Sequence, residues 1–228
     1  MAEIFRPKST GGGGFLGLQG AMIVGWTDRT AEFDWADLYW DIILQTEKSD
    51  YENALQLKGD FGYEVSPSGN HIITETTVIK RFYQLKDVIG HPFNLTAFGE
   101  FCDDDGNVVD AETVIGLLTE EFTASFATQG GANPTFPFCA YLYEVADRDG
   151  KTDENGNLKT YTRVVPQLQP NTDAGRAELE DYYTFLVRRG VITPYDGSQQ
   201  PQQHRARQSG PQGAPLGTPQ GGDGGMIL

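Results

Sequence analysis

The sequence predicts a mainly β fold: a small antiparallel barrel with added helices, a closing C-terminal helix and a disordered tail. Three observations carry this expectation. Apolar residues alternate with polar ones between residues 37 and 79, and again between 121 and 169, as strands with one buried face require. Helical spacing appears at 81–90 and 171–190. From Pro194 onward the chain is mostly Gly, Pro, Gln and Ser, a composition that cannot bury enough apolar surface to offset the entropy of ordering it.

Residues 1–20 combine Arg6 and Lys8 with the consecutive glycines Gly11 to Gly14 and read as a flexible arm. The barrel domain is expected over 21–193. AMIVGWTDRT is a short apolar run ending in a turn. In DLYWDIILQT, Leu38, Trp40, Ile42 and Leu44 alternate with Tyr39, Asp41, Ile43 and Gln45, which places Trp40 in the core and Tyr39 on the surface. ALQLKGDFGYEV and HIITETTVI continue the period, with SPSGN as the turn between them. These segments form an antiparallel meander.

RFYQLKDVIG sets Phe82, Leu85, Val88 and Ile89 at helical spacing before Gly90, a C-terminal cap. A short helix or loop follows over Leu95 to Phe101, DDDGN is a turn, and VVDAETVIGLL holds a further helical turn. EFTASFATQ, PFCAYLYEVAD and TYTRVVPQLQ read as strands, the last pair joined by the polar hairpin loop RDGKTDENGNLK. The closing helix over 172–189 has Asn171 or Thr172 as N-cap, a stripe of Leu179, Tyr182, Tyr183, Leu186 and Val187, then Arg188, Arg189 and Gly190.

The formal net charge is -15 and resides in the folded part, because Asp196 and Asp223 in the tail are balanced by Arg205 and Arg207. General attraction to nucleic acid or anionic membrane is therefore not expected. Charge is uneven, however: no Lys or Arg occurs between Asp87 and Asp147. Segregation of these segments in the fold leaves room for a local basic face. Cys102 and Cys139 are too few for a disulfide framework and read as small core residues. MAEIFRPKST lacks the apolar core of a secretory signal, and no apolar run reaches bilayer length. A cytoplasmic protein with reduced thiols and no membrane association is expected.

Catalytic and cofactor signatures are not found. His71, His91 and His204 are widely spaced, without a partner cysteine or an HExxH arrangement, so neither a metal site nor a metal cofactor is expected. There is no GxxxxGK[ST] loop and no GxSxG elbow, and GGGGFLG lacks the flanking strand and helix of a dinucleotide site. In DDDGN the glycine comes too early for an EF-hand, and Val114 stands where the bidentate glutamate belongs; the register of DRDGKTDENGN also fails. The adjacent Glu120 and Glu121 read as solvated charge. The chain is expected not to be an enzyme.

Aromatic residues and cations coincide in the first half. Trp26, Trp35, Tyr39, Trp40, Phe61, Tyr63, Phe82 and Tyr83 fall among Lys58, Lys80, Arg81 and Lys86. Rings on a sheet stack under bases while Lys and Arg follow the phosphates of a single strand. The candidate nucleic-acid-binding residues are Tyr39, Lys58, Tyr63, Lys80, Arg81, Tyr83 and Lys86, with Arg6 and Lys8 on the arm. At the other end, the polar tail finishes in Met226, Ile227 and Leu228 near Asp223, an apolar tip suited to a partner's pocket.

In its organisation, an acidic domain with aromatic strands, a Gly/Gln/Pro tether and an apolar-tipped terminus, the chain resembles phage and bacterial single-stranded-DNA-binding proteins. That resemblance implies an OB-like barrel and non-sequence-specific binding of single-stranded DNA during replication or recombination. It also implies a tail in which Asp223, Met226, Ile227 and Leu228 recruit replication and recombination proteins, and, for a phage protein, residence in the host cytoplasm. The family tip usually has several acids; this one has Asp223 alone. Self-association is left open. Two other classes share these features: a virion structural or assembly protein, and an acidic DNA-mimic inhibitor that uses the stretch from Asp103 to Glu121.

Overall fold

The computed structural model describes residues 15–90, 94–129 and 136–197. The arm residues Arg6 and Lys8 and the tail residues Asp223, Met226, Ile227 and Leu228 lie outside them. The elements, in chain order, are β1 (Gly17–Asp28), a 3-10 turn (Thr30–Glu32), β2 (Leu38–Thr46), β3 (Ser49–Gly59), β4 (Gly62–Val65), β5 (His71–Thr74), α1 (Thr77–Ile89), β6 (Asn94–Leu95), β7 (Phe101–Cys102), α2 (Ala111–Gln129), β8 (Phe138–Ala146), β9 (Thr160–Val164), β10 (Gln169–Pro170) and α3 (Asp173–Arg188). The fold is mainly β with a few helices.

One antiparallel sheet organises the molecule, in the order β10-β8-β1-β2-β3, with β9 also paired to β8. β1 carries two ladders: residues 17–21 pair with β8 and residues 21–28 with β2, and the register shifts between Ile23 and Gly25. Such a shift bends and twists a strand, so the sheet curls. Its edges approach, with Cα atoms of β3 and β9 within 8 Å. No ladder joins them among the described residues, so the closed barrel expected from the sequence is not formed. β9 gives its hydrogen bonds to β8, from Leu142 to Ala146.

Alternation along the strands divides the residues between two faces. Leu38, Trp40, Ile42 and Leu44 of β2 join Ile23 and Trp26 of β1, Leu55 and Leu57 of β3 and Leu142 of β8 in the main core. α1 adds Val78, Ile79, Phe82 and Leu85; α2 adds Val114 and Leu118. Trp40 is 2% exposed, stacked on Phe101 at 5.2 Å and edge-on to Trp26 at 6.0 Å. Its place in the core follows from its period-two partners, as the sequence predicts.

On the opposite face, Cys139 and Val165 pack with Leu179 and Leu186 of α3, flanked by Leu18, Tyr141, Tyr143 and Tyr183. Thr172 is the N-cap of α3, its hydroxyl accepting the Gly175 N–H at 3.1 Å. Both cysteines are buried and free. Because α3 sits over β8 and β10, no helix among the described residues covers the part of this face formed by β2, β3 and the end of β1.

Four expected elements differ. HIITETTVI is not one strand, because α1 begins at Thr77: Val78 and Ile79 are β-branched, yet they point to the core one turn before Phe82, and tertiary burial overrides propensity. ALQLKGDFGYEV breaks at Asp60, and β4 leaves the main sheet to pair with β5. Leu95 to Phe101 is a hairpin of two short strands. EFTASFATQ is the second half of α2. Asp110 starts that helix by accepting the Thr113 N–H at 2.7 Å and its hydroxyl at 2.8 Å, and with no proline between Asp110 and Gln129 the helix continues through the alternating segment.

Candidate nucleic-acid interface

The uncovered part of the outer face ends in a compact cluster of rings and cations built by the loop between β1 and β2. The loop is fixed at both ends. The Arg29 N–H donates to the Tyr39 carbonyl at 2.8 Å, and the Tyr39 N–H to the Thr30 hydroxyl at 2.9 Å. The Asp28 carboxylate accepts the Thr30 N–H at 2.8 Å, and Asp37 accepts the Phe61 N–H at 2.6 Å. Between these anchors the chain turns back on itself and lays the Phe33 ring on the Tyr39 ring, 4.5 Å between centroids and 14° from parallel. Trp35 stands beside both, 5.8 Å from Phe33 and 6.0 Å from Tyr39. It is 53% exposed.

Two cations border the rings, with different electrostatics. The Arg29 guanidinium lies 5.2 Å from both the Phe33 and Tyr39 centroids and is neutralised by Glu32 at 2.6 Å and Asp41 at 3.1 Å. Its hydrogen bonds to those carboxylates hold its pKa above even the usual guanidinium range. Lys58, directly across the ladder from Tyr39, holds its ammonium 5.0 Å from the Tyr39 centroid and donates to the Gln56 amide oxygen at 2.8 Å. Lys58 is exposed and forms no ion pair among the described residues. An ammonium on an aromatic face, next to an exposed indole, suits a ligand that offers both an anionic backbone and flat rings.

The residues expected from the sequence are only partly brought together. Tyr39 and Lys58 meet in this cluster, but Tyr39 is 5% exposed, and the expectation that it lies open on the surface is corrected: Phe33 covers it. Tyr63 lies on the β4–β5 hairpin, 47% exposed. Burial pushes its hydroxyl pKa up, with a further push from Asp37 at the end of the loop.

The four remaining residues belong to α1, whose apolar side packs against the core side of the sheet. Lys80 is paired with Glu75 at 3.1 Å. Arg81 exerts its charge on Tyr143 of β8. Tyr83 accepts the Leu95 N–H at 3.3 Å, and Lys86 donates to the Asn94 side chain at 2.5 Å while lying 5.9 Å from the Tyr83 ring. Tyr83 and Lys86 thus brace the β6–β7 hairpin. Lys58 stands on the outer face of β3, whereas Lys80, Tyr83 and Lys86 are engaged on α1, which packs on the core side of the sheet, so a single groove joining Lys58 to these three is not formed.

Arg29, Phe33 and Trp35 were not expected as site residues. Their signal is Trp35 flanked by Asp34, Ala36 and Asp37, an aromatic residue in a polar turn with no strand period to take it into the core. Among the described residues no cluster of metal-ligating side chains occurs, and no helix is long and apolar enough to cross a membrane. In comparisons with known proteins, no family model, curated protein or solved structure matches the chain.

Proposed function

We propose that the chain binds single-stranded DNA without sequence specificity, using the cluster at the β2–β3 end of the sheet. The observation that carries this reading is Lys58 on the face of Tyr39 with Trp35 exposed beside it. A base stacks on any flat ring whatever its identity, and a lysine without an acidic partner meets the phosphate backbone. The acidic remainder of the protein disfavours duplex and general polyanion binding.

The strand arrangement supports the same reading. An OB-fold is a five-stranded, partly open Greek-key barrel that binds oligonucleotides on the face of its second and third strands and through the loops between strands one and two and four and five. Here β1, β2, β3, β8 and β9 are taken as the five strands, with α1 and α2 inserted after the third. Successive antiparallel pairings make β3 and β9 run in the same direction where they approach. The aromatic cluster falls on the second and third strands and the first loop. In this reading the chain serves replication or recombination, with Asp223, Met226, Ile227 and Leu228 as a recruiting tip.

The test is fluorescence anisotropy of a labelled ~30-nucleotide oligo(dT) against a duplex control at low and moderate salt. Binding to the single strand, with little to the duplex, is expected. Failure to bind the single strand at low salt overturns the proposal.

A further inference from the structure

On the proposal that the cluster binds single strands, we further infer that the Tyr39 face covered by Phe33 is a second, latent nucleobase subsite, opened when an incoming base displaces Phe33. Phe33 stands in for the base. It is nearly parallel to Tyr39 at 4.5 Å and 14°, the offset-stacked geometry an aromatic ring or a base adopts on a phenol. The occupied subsite is next to the open one, since Trp35 is 6.0 Å from Tyr39 and 53% exposed. Lys58 already marks the Tyr39 position with positive charge, 5.0 Å from the ring centroid.

The attachments of the loop are arranged for such an exchange. Its ends are held by hydrogen bonds of the Arg29 main chain, the Thr30 hydroxyl and the Asp37 carboxylate. The tip at Phe33 to Trp35 is held to the sheet by ring contacts, while the hydrogen bonds of the tip, Phe33 N–H to the Thr30 carbonyl and Ala36 N–H to the Phe33 carbonyl, stay inside the loop. Lifting Phe33 therefore breaks no hydrogen bond to the sheet among the described residues, and an entering base restores the stacking lost from Tyr39. Arg29, stacked on Phe33 and Tyr39 alike, holds the closed arrangement through Glu32 and Asp41. The strand would thus first engage Trp35 and Lys58, then gain a second stacked base as the loop tip lifts.

The experiment compares full-length wild type with Phe33→Ala, Phe33→Trp and the double variant Phe33→Ala/Tyr39→Leu, by anisotropy on labelled oligo(dT). Removing the internal competitor should tighten binding roughly two- to ten-fold, the ratio corresponding to one aromatic pair. The larger ring of Phe33→Trp should stack harder on Tyr39 and weaken binding, and Tyr39→Leu should abolish the gain of Phe33→Ala. Weaker or unchanged binding in Phe33→Ala, tighter binding in Phe33→Trp, or a gain that survives Tyr39→Leu would each overturn the inference while leaving strand binding intact. A wild type that does not bind oligo(dT) removes both proposals together.

Discussion

Lys58 and Tyr39 face each other across the β2–β3 ladder, and the ammonium of Lys58 rests 5.0 Å from the centre of the Tyr39 ring and 3.4 Å from its hydroxyl oxygen. The pair combines a ring, held in place by the sheet, with a cation unopposed by any carboxylate among the described residues. Arg29, on the same ring, is already neutralised. Lys58 is therefore the cation of the cluster that no carboxylate pairs among the described residues.

A phosphate contact by Lys58 has a defined electrostatic signature. Lys58→Ala should weaken binding to oligo(dT) and flatten the slope of log affinity against log salt by about 0.7, the contribution of one neutralised phosphate on a single strand. Titrations at several salt concentrations read both quantities. An unchanged slope would take Lys58 out of the backbone contact.

Trp35 tests the stacking half of the mechanism. Trp26 and Trp40 are buried at 7% and 2% exposure while Trp35 is 53% exposed, so oligo(dT) should quench the Trp35 part of the fluorescence. Trp35→Ala should lose about 1–3 kcal/mol of binding, the contribution of one stacked base, beyond the small drop in melting temperature expected from its ring contacts with Phe33 and Tyr39. Quenching that persists in Trp35→Ala would place the bound strand elsewhere.

The parts of this fold legible in the sequence are those where one periodic pattern decides the outcome. The alternation of Leu38, Trp40, Ile42 and Leu44 put Trp40 in the core, and the caps and stripe of α3 located that helix to within a residue at each end. Elsewhere the local pattern competes with tertiary burial. Val78 and Ile79 are strand formers recruited to a helix by the core, and residues 121–129 alternate yet continue α2. At the site, period two correctly set Tyr39 opposite Trp40, but an outer face is not necessarily an open one: whether Tyr39 meets solvent depends on Phe33, six residues away in a turn. Lys80 and Lys86 do not join Lys58 for a related reason, since the chain crosses from sheet to helix between them.

Gly175 gives a substitution whose sign is opposite to the usual helix rule. In a helix interior, alanine is preferred over glycine by about 0.8–1.0 kcal/mol. At Gly175, in the first turn of α3, a Cβ would overlap the Pro170 carbonyl oxygen and lie 3.3 Å from the Gln169 Cβ. Gly175→Ala should therefore destabilise the protein by about 1–3 kcal/mol, in the range of overpacked sites, with a lower melting temperature and unchanged oligo(dT) affinity at the other part of the sheet. A higher melting temperature would mean that β10 yields to the methyl group.

The tyrosines between α3 and β8 give the protein an alkaline limit. Burial is the main cause that pushes the hydroxyl pKa values of Tyr141, Tyr143 and Tyr183 upward; at Tyr143 the nearby Arg163 and Arg81 oppose it, while Tyr183 adds to it. Tyr141 and Tyr183 are stacked at 4.0 Å, so ionising either puts a phenolate into the packed layer. The folded state retains these protons above the unfolded value of ~10, while the unfolded chain releases them. Their contribution to stability is therefore complete below that pH and is lost as pH rises through the higher folded values. Urea unfolding across an alkaline pH series should give a stability that falls from about pH 10 upward, less steeply in Tyr143→Phe, which has one proton fewer to lose. A stability that rises in this window, or a Tyr143→Phe curve parallel to that of wild type, would show that the layer under α3 admits the phenolates without cost.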